Sequence, residues 1–231
     1  MSTDVKADLE VGWAGGGREA AQSGSARRAA QGAATRAALL GAARDLFGSL
    51  GFADTSLDEV VARAQVTKGA LYHHFASKEG LFAAVYEQVQ REVSDRVVQE
   101  FLLPDPWEAL LVGCDLWIDA HVEPSVQRIV LRDARAVLGW EVVRDVENRF
   151  GVVPLRGVLR RAVRVGLIEG GSLRPLALMV MGALTEACFY VADADDPQAA
   201  REEVRALTQQ LLEGIARNQP EGWRRPRPEP G

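Results

Sequence analysis

Residues 56–75, SLDEVVARAQVTKGALYHHF, constrain this chain more than any other segment. Ser56 with Glu59 three positions later is a capping box, which fixes the start of a helix. Leu57, Val60, Val61 and Ala64 follow at helical spacing and form a stripe to be buried. Gln65 and Val66 make a tight turn, and Thr67 caps a second short helix. Small and polar side chains gather on that second helix, while Leu71 and Phe75 face the core. Two short helices joined in this way form a helix-turn-helix.

The surrounding chain is helical in period almost throughout. Residues 35–50 place Leu39, Leu40, Ala43, Leu46, Phe47 and Leu50 on one face, and Gly51 ends that helix. Ser77 caps a helix whose apolar positions run from Leu81 towards Phe101. Asp105, Pro106 and Glu108 mark another clean start. Pro124 opens a short helix through Val137. Residues 140–165 are helical but interrupted by Pro154, and Gly166 ends them. Two amphipathic helices close the chain, at about residues 173–192 and 197–217. No stretch alternates as a strand would. The expected fold is all-α, a three-helix head followed by a larger helical body. Its boundaries are a flexible arm at 1–33, the head at 34–80, the body at 81–217 and a disordered tail at 218–231.

Several function classes fall away. Hydrophobic content of 47% with 26% charged residues is that of a globular chain. No apolar run reaches the ~18 residues of a membrane span, since residues 176–191 are broken by Glu186. No secretory leader is evident, so a cytoplasmic location without membrane contact is expected. Cys114 and Cys188 sit on apolar helical stripes, with neither a disulfide framework nor metal spacing. There is no phosphate-binding glycine loop and no nucleophile elbow, so no enzyme and no cofactor are implied. His73 and His74 are chain neighbours and diverge by about 100° on a helix, which argues against metal. Net charge is −5, yet residues 26–80 carry seven Lys/Arg against five acids, and residues 81–231 carry 18 against 23. A basic head on an acidic body favours one-sided docking on a polyanion.

Residues 35–85 resemble the DNA-binding domain of the TetR/AcrR family of bacterial regulators. The likeness runs through Thr35 and Arg36, Leu46 and Phe47, Gly51 and Phe52, and residues 67–75 with Ser77, Lys78 and Glu79. It implies that the chain binds a double-stranded DNA operator through Thr55, Ser56, Thr67, Lys68, Gly69, Ala70, Tyr72, His73 and Lys78. Gly69 and Ala70 would let the backbone approach the groove floor, Tyr72 and His73 would touch phosphate, and Lys68 would reach phosphate or a guanine edge. Gln65 departs from the family, which usually places Gly there, and so predicts a left-handed residue at a cost of about 1 kcal/mol.

The same resemblance implies a small-molecule effector in the body, acting through the long helix from Ser77 to Phe101, with repression as the default mode. Aromatic and polar residues on apolar stripes are the pocket candidates: Trp117, His121, Trp140, Glu186, Phe189 and Tyr190. Gly182, Ala183 and Ala187 would let the two closing helices meet a second copy and form a homodimer. A ridge of Arg156, Arg160 and Arg164 reads as a solvated face. The rival reading is a helix-turn-helix used for protein contact, in which Lys68 and Tyr72 would be dispensable.

Overall fold

The fold comes from a computed structural model that describes residues 16–216, with side chains from residue 27 onward. The head contains α1 (Gly16–Leu50), α2 (Leu57–Ala64) and α3 (Lys68–His74). α1 begins well before Thr35, so residues 16–33 are helical and not a flexible arm. Alanines at 20, 21, 26, 29, 30, 33 and 34 supply helix propensity without any apolar stripe. Residues 27–38 stay exposed or half-exposed, so periodicity had nothing to register there. Residues 1–15 and the expected tail at 218–231 lie outside the described residues.

From Leu39 onward α1 turns amphipathic, and Leu39, Ala43 and Phe47 are fully buried. Gly51 ends the helix at φ +90°, and a Cβ there would lie 2.9 Å from Arg128 Nη1. The dihedral favours glycine, and any other side chain would also have to displace the Arg128 guanidinium. Phe47, Phe52 and Phe82 interlock with ring centroids 5.1–5.9 Å apart, joining the head to the start of α4 (Lys78–Glu100). Gln65 adopts φ 57°, ψ 39°, the left-handed conformation its position demanded.

α4 is shared between head and body. Leu81, Phe82 and Val85 are buried towards the head end, and Val89, Gln90, Val93 and Val97 further along. The body then comprises α5 (Pro106–Val122), α6 (Pro124–Gln127), the π-helical turn π1 (Arg128–Asp133), α7 (Ala134–Glu147), a second π-turn π2 (Asn148–Val152), α8 (Val153–Arg164), α9 (Leu173–Asp193) and α10 (Pro197–Ile215). Gly139, at φ 77° and ψ 166°, makes the break expected between residues 137 and 140. Pro154 stands in the first turn of α8, splitting the helix. Proline has no N–H to give the carbonyl four residues back, and the backbone widens into π2 just before it. No strand occurs among the described residues.

Buried side chains from both parts form one core. Arg161 fastens the α4–α5 connection by donating to the carbonyls of Phe101, Leu103 and Pro104. Arg201 bridges Asp115 (2.6 Å) and Asp119 (2.5 Å), and Arg205 joins Asp115, which ties α10 to α5. Cys114 and Cys188 are buried free thiols, pushed up to about 12 by desolvation. One expectation fails at α9. Its 21 residues, with a mean hydropathy of 1.6 over the apolar window, are long and apolar enough to cross a membrane by composition. Glu186 does not interrupt the helix, which buries Ala177, Val180, Met181, Leu184, Cys188 and Val191 in the core.

Candidate nucleic-acid interface and effector cavity

Three capped helix starts shape the outer surface of the head. Ser56 Oγ accepts the Glu59 N–H at 3.2 Å, and Glu59 Oε2 accepts the Ser56 N–H at 2.9 Å. The Ser56 hydroxyl also donates to Glu59 Oε2, at 2.8 Å, and together with the Ser56 N–H it holds the Glu59 carboxyl below its ordinary range. Thr67 Oγ1 accepts from Ala70 N–H at 3.2 Å, and Ser77 Oγ accepts from Gly80 N–H at 3.1 Å. The left-handed Gln65 aims α3 outward from α2, and Leu71 and Phe75 anchor it in the core.

Most residues expected at the interface share this surface. Ser56, Thr67, Lys68, Gly69, Tyr72 and His73 are exposed, and Ala70 is half-buried. A Cβ on Gly69 would meet only Thr67 Oγ1, at 4.0 Å. No internal contact therefore requires glycine there, and its smallness is available to an outside surface. Lys68 Nζ lies 2.7 Å from Asp58 Oδ1, which raises the lysine above its ordinary range. Lys78 is half-buried, with its ammonium 4.4 Å from the Phe52 ring centre and donating to Ala53 O at 3.3 Å. Thr55 does not belong on this surface. It is 2% exposed, and its hydroxyl donates to Gly51 O at 2.8 Å.

The body holds a cavity of about 420 Å³, walled in part by Trp117, His121, Val130, Leu131, Val143 and Phe189. An outer groove of about 690 Å³, which includes Trp140, Arg144, Leu178 and Glu186, adjoins it. Arg135, Glu147, Thr185 and Phe189 line both spaces. Of the pocket candidates, Trp117, His121 and Phe189 thus come together in the cavity, and Trp140, Glu186 and Phe189 in the groove. Tyr190 lines neither. Its hydroxyl points away, donating to Glu203 Oε2 on α10 at 2.8 Å. The sequence reading missed Gln90, Arg135, Glu147 and Thr185. Gln90 left a signal, being a polar side chain on the buried stripe of α4, whereas Arg135 and Glu147 look like ordinary solvated helix charges.

A polar chain crosses from α4 to α5 at the cavity wall. His121 Nδ1 lies 2.8 Å from Trp117 O, and Nε2 lies 3.2 Å from the Gln90 side-chain oxygen. Burial pushes the imidazole down to about 4, so it is neutral near pH 7 and donates only once. The Trp117 carbonyl can only accept, so Nδ1 carries the proton. With the amide oxygen facing Nε2, two acceptors would meet. The Gln90 amide is therefore turned, its NH₂ donating to His121 and its oxygen accepting from Tyr86, whose hydroxyl lies 3.3 Å from the amide. No two acceptors then face each other in the relay.

Residues 39–85 match the model for bacterial regulatory proteins of the tetR family, and residues 107–215 match that for the tetracyclin repressor-like C-terminal domain. A TetR-family transcriptional regulator from Pectobacterium atrosepticum is 38% identical to this chain. It aligns over 82% of this chain and 97% of its own, with a TM-score of 0.73. The chain belongs to the TetR family. Both TetR-family domains fall where the structure places head and body. RolR, solved in complex with resorcinol, shares the fold at 21% identity, covering 84% of this chain and 98% of its own with a TM-score of 0.63. The Transposon Tn10 TetC protein of Escherichia coli is 25% identical over 122 residues, 53% of this chain and 62% of that protein. The match therefore spans less than two thirds of TetC's own length.

Proposed function

We propose that this chain is a sequence-specific transcriptional repressor that binds a palindromic operator as a homodimer and releases it when a small molecule fills the body cavity. The carrying observation is the outer face of α3, where Lys68, Gly69, Tyr72 and His73 are exposed and Gly69 has no internal reason to be glycine. A helix with that face can lie against the floor of a major groove, with Lys68, Tyr72 and His73 available to phosphates and base edges. Ser56 and Thr67 add hydroxyls at helix starts beside it. Lys78 joins them by swinging off Phe52.

A palindrome needs a two-fold protein. α9 leaves Met179, Gly182, Ala183, Glu186 and Tyr190 exposed at helical spacing, and α10 leaves Leu207 and Leu211 exposed beside them. Nothing lies within 4 Å of a Cβ built on Gly182. These helices of two copies would pack as a four-helix bundle and set the heads about 34–36 Å apart, or a multiple of that. Repression is supported by the repressor-like match of the body, and small-molecule control by the cavity and by RolR's occupied fold.

Selection of DNA from a random pool by the purified protein tests this reading. Enrichment of an inverted repeat, with affinity falling steeply as salt rises, is the expected result. A folded protein that enriches nothing, or binds with a flat salt response, would favour a helix-turn-helix that contacts protein instead.

A further inference from the structure

The charged groups of the cavity narrow the chemistry of what can fill it, given the proposal that this cavity is the effector site. Arg132 is already spent, pairing with Asp193 Oδ1 at 2.5 Å and donating to Ala192 O at 3.2 Å. His121 is neutral. Arg135 lies with its guanidinium carbon 4.7 Å over the Trp140 ring and forms no ion pair with a described residue. Glu147 makes neither a hydrogen bond nor an ion pair among the described residues. The uncommitted charges are thus one cation and one anion. Either kind of ionic ligand would be attracted by one of these charges and repelled by the other. A neutral ligand loses at neither.

The walls also state a shape and a need. Trp117, whose ring packs on the His121 imidazole at 4.2 Å between centroids, and Phe189 supply aromatic surface among Val130, Leu131 and Val143. Glu147 is half-buried and accepts no hydrogen bond from a described residue, so its carboxylate oxygens are open to a donor on a ligand. Burial pushes its carboxyl above the ordinary range, and the Arg135 charge only partly reverses this. We propose that the effector is a neutral hydroxy-aromatic compound, with its ring against the apolar and aromatic lining that includes Trp117 and Phe189 and its hydroxyl donating to the Glu147 carboxyl. At about 420 Å³ the cavity sits near the small end of ligand sites and suits one or two fused rings.

Calorimetric titration of the full chain with four naphthalene probes tests this. The probes are 1-naphthol, 1-methoxynaphthalene, 1-naphthoate and the ammonium form of 1-naphthylmethylamine. They share one ring and differ only in head group. 1-Naphthol should bind tightest, about tenfold or more above the methoxy compound, as expected for a hydrogen bond to a carboxylate. Glu147→Leu should erase that preference while leaving methoxynaphthalene binding intact. Glu147→Gln, an isosteric change, should weaken naphthol several-fold without altering helical content. Equal binding of naphthol and its methyl ether would overturn the proposal. So would the ammonium or the carboxylate binding tightest, or none of the four binding. A protein that binds its selected DNA but no probe refutes the ligand class alone. One that binds 1-naphthol but enriches no DNA refutes the regulator reading alone.

Discussion

The carboxylate of Asp133 accepts the backbone N–H of Phe52 at 2.7 Å, across 81 positions of sequence. Beside it, Arg128 Nη1 donates to Leu50 O at 3.0 Å. Both side chains belong to π1, and the same turn presents Val130, Leu131 and Arg132 to the cavity. One turn of backbone therefore touches the body cavity and grips the α1–α2 corner of the head. Asp133→Ala would leave the half-buried Phe52 N–H without its acceptor. Unfolding stability should fall by about 1–2 kcal/mol, and amide exchange at residues 51–53 should speed up. Denaturant titration and hydrogen exchange check both. Unchanged exchange at Phe52 would mean that the grip holds nothing.

Gly69 separates the DNA-binding role from folding. Its helical position tolerates any good helix former, and a Cβ meets nothing closer than 4.0 Å. Gly69→Leu should leave the unfolding midpoint unchanged or raise it, since leucine exceeds glycine in helix propensity by roughly 0.5–1 kcal/mol. Operator affinity, measured by fluorescence anisotropy, should fall on the order of 100-fold, because the added side chain holds the backbone off the groove. Full operator binding by Gly69→Leu would take α3 out of the groove.

What the sequence made legible follows from what leaves a local trace. Ser56 with Glu59, Thr67, Ser77 and Asp105 with Pro106 announced helix starts, and the structure shows each cap side chain bonded as its position implies. Gln65 was readable because a turn geometry acts on the residue that occupies it. The first half of α1 was not, because alanine makes a helix without a buried face. Thr55 looked like a helix-start hydroxyl, but its hydroxyl is taken by Gly51, a contact that only the folded corner creates. Tyr190 looked like a pocket aromatic because periodicity places it on α9 without saying which flank meets the cavity. Arg135 and Glu147 were silent for the same reason, since a helix charge is read as solvated until another helix covers it.

His121 predicts how stability depends on pH. Its folded value of about 4 lies below the ordinary 6.5 because burial opposes the charge. The unfolded chain therefore takes up a proton that the folded chain refuses across that interval. The stabilisation is complete above about pH 6.5 and is lost as pH falls towards 4. Between about pH 7 and pH 5 the loss from this group is about 2 kcal/mol. Urea unfolding at those two values should show the drop, and His121→Gln should shrink it. An equal drop in His121→Gln would assign the pH dependence to other groups.

Gly182 tests the proposed dimer as Gly69 tests the proposed operator contact. It is exposed in the interior of α9, flanked by Met179 and Ala183 on the stripe that faces away from the core. No atom of its own chain lies within 4 Å of a Cβ placed there. Within one copy, Gly182→Leu is therefore free of clashes and adds helix propensity. In a close-packed pair of α9 helices the same side chain would drive the partners apart, because small residues are what permit such an approach. Sedimentation velocity should show the parent chain as a dimer and Gly182→Leu as a monomer of equal or greater thermal stability. DNA binding should fall with it, since a lone head engages only half of an inverted repeat. A Gly182→Leu protein that stays dimeric would place the two-fold contact on a different face of the body.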